Sequence, residues 1–537
     1  MSQDTPPFRI AIIGGGLAGL SAAHRLIELA RERGTNLAVT LFESGPRLGG
    51  VIGTERIGGY LIDTGADSFL TNKPAAANLC RRLGIEDRLI PTSERHRGAL
   101  VLFKGRPRPV PEGFQLMSPT AIWPMLVSPI LSPWGKLRMG LEFFVPRGRA
   151  VVPSELPDES LASFVRRRFG REALERLVQP LVGGIYTSDP EKLSLAATMP
   201  RFLEMERDHG SLLRATLFPN KKADGQQPTA DGSPSGSPPD PSGTATDTKS
   251  SGARYGLFAG LAGGMEDLLS ALRSRVEATC EVKLNAPVAR IVRASTPESK
   301  APLTLTLSPE DGGEGTGKEE SQKNAGAGRG RYRIELADGS IHSSDAVIVA
   351  AASYHAANLL GDLDRELASL LGEIEYASSA LVVTGHRLAD VAHPLHAFGL
   401  VVPQRERRKI LAVSFSSRKF PDRAPDGSVL LRTFVGGALQ PELFNLSDTE
   451  LVSLVLAELA DIFGVRGEPE LVKVYRYPRA MPQYHVGHLD RVARIEALAA
   501  RHPGLALAGN AYRGVGVPDV IQYAESAAGR LLDIGCH

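Results

Sequence analysis

The apolar positions at the start of the chain predict a strand, a glycine-rich turn, a helix and a second strand. Residues 8–13 form an apolar run and are followed by four glycines within residues 14–19. A run rich in alanine and leucine continues to residue 33, and a second strand is predicted over residues 37–43. A buried strand that enters a helix through a tight turn indicates a βαβ unit at the beginning of the fold.

The middle and the end of the chain carry different periodicities. Residues 81–219 are rich in helical patterns, and one helical face is marked by the apolar side chains Leu161, Phe164, Val165, Leu174 and Leu177. Residues 377–437 contain short apolar runs separated by turn residues, which predicts an antiparallel sheet. The last section predicts a strand over residues 505–508 and, after a glycine turn, a helix over residues 518–532.

Two tracts lack the apolar residues that a folded core needs. Residues 219–252 are dominated by Pro, Gly and Ser, and residues 308–331 likewise hold no large apolar side chain. Such sequences cannot offset the entropy cost of ordering, so both are predicted to be disordered insertions. The chain has 56 Gly and 38 Pro in 537 residues, and part of that excess lies in these tracts.

Charge and cysteine content exclude several classes of protein. The 62 Lys and Arg against 60 Asp and Glu leave a net charge of +2, which is too weak a field for a nucleic-acid partner. Cys80, Cys280 and Cys536 lie far apart and have no metal-binding spacing. We therefore expect neither a disulfide framework nor a metal site. A reducing compartment is the expected environment.

The sequence also bears on location. No basic segment followed by an apolar run opens the chain, so no secretory signal is predicted and the expected location is cytoplasmic. Residues 121–134 are apolar but contain three prolines and are too short to span a bilayer. The first interpretation of this segment is a loop that covers the core; the second is a membrane-facing entrance for an apolar substrate.

The turn at residues 14–19 matches the GxGxxG pattern of dinucleotide-binding turns. Its glycines permit a tight turn, close approach of the backbone to a pyrophosphate, and packing of the helix on the strand. Glu43 ends the predicted second strand, where a carboxylate accepts ribose hydroxyls and disfavours a 2′-phosphate. A glycine-rich turn without a ligand is the alternative interpretation.

Further glycine-rich stretches favour FAD over a nicotinamide cofactor. Residues 44–50 and 64–68 add backbone suited to a long cofactor, with Arg47 between the glycines of the first stretch. Residues 508–519 again end a strand at glycines and start a helix, with Pro518 near its first turn. A helix N-terminus there would stabilise negative charge on a reduced flavin, although a purely structural turn is an equal alternative.

These motifs resemble the protoporphyrinogen/coproporphyrinogen oxidase family of the flavin amine oxidase superfamily. The similarity covers nearly the whole chain outside the two tracts, and its narrower motifs lie in the middle and at the C-terminus. They are residues 181–190 (LVGGIYTSDP), 263–265 (GGM), 415–417 (FSS), 420–425 (FPDRAP), 481–484 (MPQY) and 508–519.

The resemblance implies a mixed α/β (α+β) fold with three domains. A Rossmann-like FAD-binding domain of the amine oxidase/glutathione reductase type would comprise residues 1–84, 253–295 and 470–537. A helical domain facing substrate or membrane would be inserted at residues 85–218. A substrate-binding domain with an antiparallel sheet would comprise residues 332–469.

The resemblance also implies the reaction and its partners. The expected reaction is the FAD-dependent, six-electron oxidation of protoporphyrinogen IX or coproporphyrinogen III by dioxygen, giving three hydrogen peroxide, in haem biosynthesis. No side chain is assigned as catalytic, because the flavin would take the hydride. Further partners to test are a ferrochelatase that receives the product, the inner face of the cytoplasmic membrane and a second copy of the chain.

Matching positions imply the site residues. The cofactor would be bound by Gly14, Gly15, Gly16, Leu17, Ala18, Gly19, Glu43, Ser44, Arg47, Gly50, Val51, Gly65, Ala66, Asp67, Ser68, Val288, Val515, Gly516 and Val517. The substrate would be bound by Gly184, Val401, Ser414, Phe434 and Arg97. Ordinary core or edge-strand packing is the alternative for Val288 and Phe434.

The sequence departs from the family pattern at two positions. Ser414 is polar where the family keeps an apolar side chain. Ala99 stands where the family often has the arginine that binds a propionate, which leaves Arg95, Arg97 and Arg106 as the nearby cations. A solvated basic loop is the alternative for these arginines.

Two other functions remain open at this point. Another oxidase or desaturase of the same superfamily would share the FAD turn, and a panel of substrates with peroxide detection would identify it. A non-catalytic FAD- or porphyrin-binding protein would hold flavin that substrate cannot bleach without oxygen.

Overall fold

The computed structural model describes residues 6–115, 117–119, 122–148, 158–217, 258–294 and 331–535. The two predicted insertions lie outside these residues, apart from Arg331.

The described residues form strands in several sheets. In chain order the strands are β1 (Phe8–Ile13), β2 (Leu37–Phe42), β3 (Thr54–Ile57), β4 (Tyr60–Asp63), β5 (Phe69–Leu70), β6 (Leu89–Pro91), β7 (Leu100–Phe103), β8 (Arg106–Pro109), β9 (Phe114–Gln115), β10 (Ser118–Pro119), β11 (Phe258–Leu261), β12 (Glu281–Lys283), β13 (Val288–Arg293), β14 (Tyr332–Leu336), β15 (Ile341–Ser344), β16 (Ala346–Val349), β17 (Tyr376–Arg387), β18 (Gly399–Val401), β19 (Ala412–Phe415), β20 (Ser428–Gly436), β21 (Leu471–Pro482) and β22 (Leu505–Leu507).

Helices cover the sheets and form a separate layer in the middle of the chain. In chain order they are α1 (Leu17–Arg33), α2 (Ala75–Leu83), α3 (Ile122–Val127), α4 (Pro133–Gly140), α5 (Leu161–Arg168), α6 (Arg171–Ala173), α7 (Gln179–Tyr186), α8 (Leu195–Thr198), α9 (Pro200–His209), α10 (Leu212–Leu217), α11 (Glu266–Glu277), α12 (Ser353–Leu360), α13 (Arg365–Gly372), α14 (Ser416–Lys419), α15 (Asp448–Phe463), α16 (His488–Ala500) and α17 (Val517–Gly535).

A five-stranded parallel sheet forms the first layer, in the order β12-β2-β1-β16-β22. Apolar side chains of α1, α11 and α17 pack on one face of this sheet. The other face is covered by α12, α13 and α16 and by the small sheet of β13, β14 and β15. Because both faces are covered, its strands are nearly continuous apolar runs. The predicted βαβ opening is confirmed by β1, α1 and β2.

A seven-stranded sheet forms the second layer, in the order β21-β17-β20-β19-β18-β7-β8. Its neighbours are antiparallel except for β18 and β7, which run parallel. Helix α15 packs on one face, and part of the other face meets the helices of residues 122–217. The five apolar residues predicted to share one helical face are all buried in that helical layer.

The strand pairings differ from the predicted domain boundaries at three places. Strands β7 and β8 lie inside the segment 85–218, predicted as helical, yet they complete the seven-stranded sheet. Strand β16 lies inside 332–469 but is a central strand of the parallel sheet, and β21 lies inside 470–537 but pairs with β17. An apolar run indicates a strand without indicating which distant strand it pairs with.

In the described part of the chain, no helix combines the length and the apolar character needed to cross a membrane.

Candidate functional site

The first loop of the site is the turn between β1 and α1. Gly14 has a φ of +107°, and a Cβ on Gly19 would overlap the carbonyl oxygen of Gly14. Only glycine fits both requirements without displacing the backbone. Leu17 and Ala18 are buried and anchor the start of α1 in the core.

The N-terminus of α1 is free to meet an anion. Gly16 is the residue before the helix, no side chain caps it, and no acidic residue stands in the first turn. The unsatisfied amides and the partial positive charge at such a terminus favour a phosphate group.

The second loop stacks on the first. The amide of Gly49 donates to the carbonyl of Gly15 at 2.8 Å, and a Cβ on Gly50 would lie 3.2 Å from the Cα of Gly16. The guanidinium of Arg47 donates to the carbonyls of Gly50 at 2.8 Å and of Ile52 at 3.3 Å. Arg47 therefore fixes the shape of this loop through its backbone.

Glu43 is held rigidly between these two loops. Its carboxylate accepts the amides of Gly15 and Gly45, both at 2.7 Å, and the hydroxyl of Ser44 at 3.2 Å. Each oxygen keeps lone-pair capacity for a ribose hydroxyl. The carbonyl of Glu43 also accepts the amide of Ala286 at 2.9 Å. This bond brings the start of β13, and with it Val288, to the Glu43 end of the cradle.

The third loop follows β4 and meets the second. A Cβ on Gly65 would lie 2.5 Å from the carbonyl oxygen of Val51. Ala66 packs against the core of the parallel sheet, whereas the side chain of Val51 is 54% exposed. The three loops therefore form one continuous groove of backbone, which we call the cradle.

A buried charge cluster lies behind the third loop. Asp67 pairs with the ammonium of Lys419 at 2.8 Å and with the guanidinium of Arg432 at 2.9 Å. Ser68 donates to Asp67 at 2.8 Å and accepts from Lys419 at 2.7 Å. Burial alone would raise the pKa of Asp67, but Lys419 and Arg432 outweigh it and lower that pKa. Two cations share one carboxylate, so the cluster carries net positive charge.

The far end of the cradle is the start of α17. The amide of Val520 donates to the carbonyl of Gly516 at 3.0 Å, which begins the helix next to Val517. Val515 packs against the apolar cluster that contains Phe434. The C-terminal turn therefore joins the cradle to the seven-stranded sheet.

Tyr484 clamps the chain that leads into α17. Its hydroxyl donates to the carbonyl of Asn510 at 2.6 Å and accepts the amide of Gly514 at 2.9 Å. The ring of His488 stacks on Tyr484 with centroids 3.9 Å apart. The Nε2 of His488 lies 2.9 Å from the carbonyl of Tyr512, and burial lowers the pKa of His488 to about 4.

The predicted substrate residues share one face of the seven-stranded sheet. Val401, Ala412 and Phe434 are directly paired across three neighbouring strands, β18, β19 and β20. A Cβ on Gly184, in α7, would lie 3.4 Å from Val401 and 3.7 Å from Ala412. The structure therefore brings Gly184, Val401 and Phe434 together on one apolar face of the sheet, which we call the apolar slot.

Ser414 lies next to this slot. It is two residues beyond Ala412 on β19 and pairs with Gly399 and Arg432. Because Arg432 is almost completely buried, the polar Ser414 faces a polar neighbour on this row of the sheet.

Arg97 is not part of the slot in this structure. It lies in the loop before β7, and its guanidinium bonds to Glu94 at 3.1 Å. The same loop is tied to Lys419 by the amide of Ser93 at 2.9 Å and to Phe398 by the carbonyl of Gly98 at 2.9 Å.

The cradle fits FAD. Its tight glycine turn and open helix N-terminus suit a pyrophosphate, Glu43 suits a ribose, and the start of α17 meets the far end, where a flavin ring would face the slot. The fold and the cradle define a flavin-dependent oxidoreductase. The chain belongs to the family of flavin containing amine oxidoreductases, whose family model matches residues 17–532, and its cofactor is FAD.

Relatives with assigned names and a solved structure indicate which members of this family the chain resembles. The chain is 32% identical over 519 residues to a coproporphyrinogen III oxidase of Bacillus subtilis, covering 96% of each chain. It is 29% identical over 520 residues to protoporphyrinogen oxidase 2 of Arabidopsis thaliana, covering 95% of this chain and 91% of the relative. A crystal structure from Exiguobacterium sp. 255-15, assigned as a protoporphyrinogen oxidase, superposes with a TM-score of 0.75 at 28% identity over 99% of each chain.

Four residues of the site were not predicted from the sequence: Lys419, Arg432, Tyr484 and His488. Arg432 could have been noticed, because a charged residue inside the otherwise apolar strand at residues 428–436 requires a partner. For Tyr484, the signal was only its place in the motif at residues 481–484, and Lys419 lies between two motifs without belonging to either. Their contacts depend on partners hundreds of residues away or on backbone groups.

Proposed function

We propose that this chain is an FAD-dependent oxidase that converts a porphyrinogen, coproporphyrinogen III in the first place, to the corresponding porphyrin in haem biosynthesis. The apolar slot at the flavin end of the cradle carries this proposal. A flat macrocycle would stack on Phe434 at the end of the apolar row that Val401, Ala412 and Phe434 form, and Gly184, which packs on Val401 and Ala412, adds no side chain over this row. The names of the Bacillus and Arabidopsis relatives support it.

The reaction balances with dioxygen as the only co-substrate. The porphyrinogen loses six electrons and six protons, and three dioxygen molecules take them up as three hydrogen peroxide. Bound FAD supplies the hydride acceptor and the site at which dioxygen is reduced.

The residues of the chain supply position and electrostatics. Phe434 would stack on the macrocycle, and Gly184 adds no side chain over the neighbouring Val401 and Ala412. Tyr484 fixes the loop before α17. The buried cluster of Asp67, Lys419 and Arg432 carries net positive charge. It stabilises negative charge that develops at the neighbouring end of the cradle.

Anaerobic chemistry tests the function directly. Coproporphyrinogen III and protoporphyrinogen IX, generated under argon, are mixed with the purified holoenzyme, and porphyrin fluorescence is followed after air is admitted. We expect fluorescence well above the spontaneous rate with peroxide at three per porphyrin, and a higher kcat/KM for coproporphyrinogen III. Rates no faster than those without enzyme would reject the proposal.

A second part of the proposal concerns a membrane. The helical layer exposes large apolar side chains on α3, α4 and the turn after α4: Trp123, Leu126, Val127, Trp134, Leu137, Leu141 and Phe144. Trp134 is 79% and Phe144 83% exposed. A cluster of this kind is typical of a surface that contacts another apolar phase. We assign it to peripheral contact with a lipid bilayer, which would make the location cytoplasmic with attachment at the inner face of the membrane.

Vesicle sedimentation tests this contact. The holoenzyme is expected to sediment with phosphatidylglycerol-containing vesicles, and the double variant Trp134→Ser, Phe144→Ser to stay in the supernatant. Ile341→Ser, which removes a 54% exposed apolar side chain from β15, is the matched control and should still sediment. A wild-type protein that does not sediment would refute the contact. Transfer of product to a ferrochelatase and a homodimer remain predictions.

A further inference from the structure

Strand β21, at the edge of the seven-stranded sheet, connects the third loop of the cradle to the C-terminal turn. On one side, the hydroxyl of Tyr477 donates to the carbonyl of Thr64. On the other side, the carbonyl of Ala480 accepts the side-chain amide of Asn510 at 3.4 Å. Arg479 lies between these two contacts, and the positions matched to the cofactor in the sequence do not include it.

The backbone at Arg479 departs from regular strand geometry. The register of β17 and β21 shifts between Ala377 and Ser379, so β21 bulges opposite Ser378. Within the bulge, Arg479 has a φ of +46°, and its amide donates to the hydroxyl of Ser378 at 2.9 Å. Residues other than glycine are strained in this conformation, and bulges redirect side chains. The bulge therefore gives the Arg479 side chain a direction that a regular strand would not.

The redirected side chain lies against the ring of Tyr354. The guanidinium carbon of Arg479 is 3.8 Å from the ring centroid. The hydroxyl of Tyr354 donates to the carbonyl of Arg479 at 3.2 Å, and Tyr376 packs edge-on against the same ring with centroids 5.0 Å apart. The cation is therefore held in place before any ligand arrives.

The donors of this guanidinium are unused in the described part of the chain. Arg479 makes its hydrogen bonds through its amide and its carbonyl, and no carboxylate of the described residues forms an ion pair with it. The residue is also exposed. An arginine with free planar donors is suited to bidentate binding of an anion such as a phosphate.

The stacked pair lies near the carboxyl end of β16, beside the first loop of the cradle. A Cβ on Gly14 would lie 2.5 Å from the carbonyl oxygen of Ala350, directly after β16, and a Cβ on Gly509 would lie 3.6 Å from that of Ala351. Helix α12 follows and carries Tyr354 in its first turn. Strands β2 and β16 lie on opposite sides of β1, and an α/β sheet binds its ligand at such a crevice.

The charges around the first loop favour an added cation. A diphosphate is a dianion, and the start of α1 offers it only the partial charge of backbone amides. The guanidinium of Arg47 donates to carbonyls of the second loop, and the buried cations behind the third loop share the carboxylate of Asp67. The first turn of α12 holds no acidic residue that would repel an anion. Arg479 adds a full positive charge with free donors.

We propose that Arg479, aimed by the bulge and stacked on Tyr354, binds the diphosphate of FAD and makes the cradle selective for a flavin that carries this group. Tyr354 is the positioning residue of this arrangement. The assignment rests on FAD as the cofactor and is independent of the substrate that the enzyme oxidises.

The affinity for FAD tests this assignment without turnover. Dilution series of the holoenzyme are ultrafiltered, and free FAD in the filtrate gives the dissociation constant for the wild type, Arg479→Gly and Arg479→Lys. Glycine adopts a φ of +46° without strain, so Arg479→Gly removes the charge and keeps the bulge. We expect this variant to bind FAD about tenfold more weakly. Arg479→Lys, which keeps the charge, should recover part of the loss.

Salt dependence and a matched variant separate charge from shape. Salt screens a cation from a diphosphate, so the dissociation constant of the wild type should rise with salt more steeply than that of Arg479→Gly. Arg387→Ala removes a 70% exposed arginine at the other end of β17 and should bind FAD as the wild type does. Unchanged affinity in Arg479→Gly, or weaker affinity with the salt dependence of the wild type, would overturn the assignment.

Substrate kinetics distinguish this assignment from the proposed function. With FAD in excess, KM for coproporphyrinogen III should be the same in Arg479→Gly and in the wild type. A raised KM with unchanged FAD affinity would place Arg479 at the substrate and overturn the assignment. A wild type that binds FAD but oxidises no porphyrinogen would instead reject the proposed function, while weaker FAD binding by Arg479→Gly would still support the cofactor contact.

Discussion

The guanidinium of Arg432 and the carboxylate of Asp67 lie 2.9 Å apart with almost no exposure to solvent. Arg432 belongs to β20 of the seven-stranded sheet, and Asp67 to the third loop of the cradle. Arg432 also donates to the carbonyl of Gly65, and Lys419 binds the same carboxylate from α14. The pair therefore fixes the distance between the face that would bind substrate and the cradle that would bind FAD.

The first prediction concerns loss of that charge. Asp67→Asn leaves Lys419 and Arg432 buried without their common anion, so we expect a loss of about 3 kcal/mol of stability. Urea unfolding of the holoenzyme at pH 7 measures it. Asp208→Asn, which breaks the exposed pair with Arg207, is the matched control and should cost less than about 1 kcal/mol.

The pH dependence of the same variant separates charge from packing. Because the pKa of Asp67 is lowered in the folded protein, its stabilisation is complete above the unfolded pKa of about 3.9 and is lost as the pH falls further. The difference between wild type and Asp67→Asn should be constant from about pH 7 to 5 and shrink below about pH 4. A difference that is constant throughout would contradict the electrostatic explanation.

The second prediction concerns the first loop. Gly19→Ala places a Cβ on the carbonyl oxygen of Gly14, so α1 must move away from β1 and its N-terminus with it. We expect protein purified without flavin absorbance. Gly529→Ala, on α17 with no atom within 4 Å of the new Cβ, should retain flavin and gain about 0.5 kcal/mol of stability. Full flavin content in Gly19→Ala would show that the turn does not bind the cofactor.

The third prediction concerns acid stability. Burial lowers the pKa of His488 to about 4 in the folded protein, whereas the unfolded chain has a value near 6.5. The unfolded state therefore binds the proton more readily in that window, and stability falls as the pH is lowered through it. Between pH 7 and 4 the wild type should lose about 3 kcal/mol more than His488→Gln, as judged by urea unfolding. Parallel losses would mean that His488 does not titrate in this way.

Local features of this fold could be predicted, whereas long-range pairings could not. The glycines between β1 and α1 were found because the turn, the strand and the helix are adjacent in sequence. Strand β16 was assigned to the wrong layer because a buried parallel strand is an apolar run like any other. The pairing of β7 with β18 joins residues about 300 positions apart, which no local pattern encodes.

The same distinction applies to the candidate site. Glu43 was found from its spacing after the glycine turn, and its carboxylate does lie on that turn. Arg432 and Lys419 were missed because their roles depend on Asp67, more than 300 residues earlier in the chain. Tyr484 was missed because it acts on backbone groups of residues 510 and 514, which have no side-chain signal.

The fourth prediction concerns the width of the apolar slot. Gly184→Leu would force added side-chain volume against Val401 and Ala412 and toward Phe434, since even a Cβ at position 184 lies 3.4 Å from Val401. We expect KM for coproporphyrinogen III to rise about tenfold or more, with flavin content unchanged, because the added volume competes with the macrocycle. Gly183→Ala is the control: its Cβ meets only the flexible end of Gln179, at 3.3 Å, and KM should stay within about twofold of wild type. If Gly184→Leu also left KM unchanged, the porphyrinogen would have to bind on another face of the sheet.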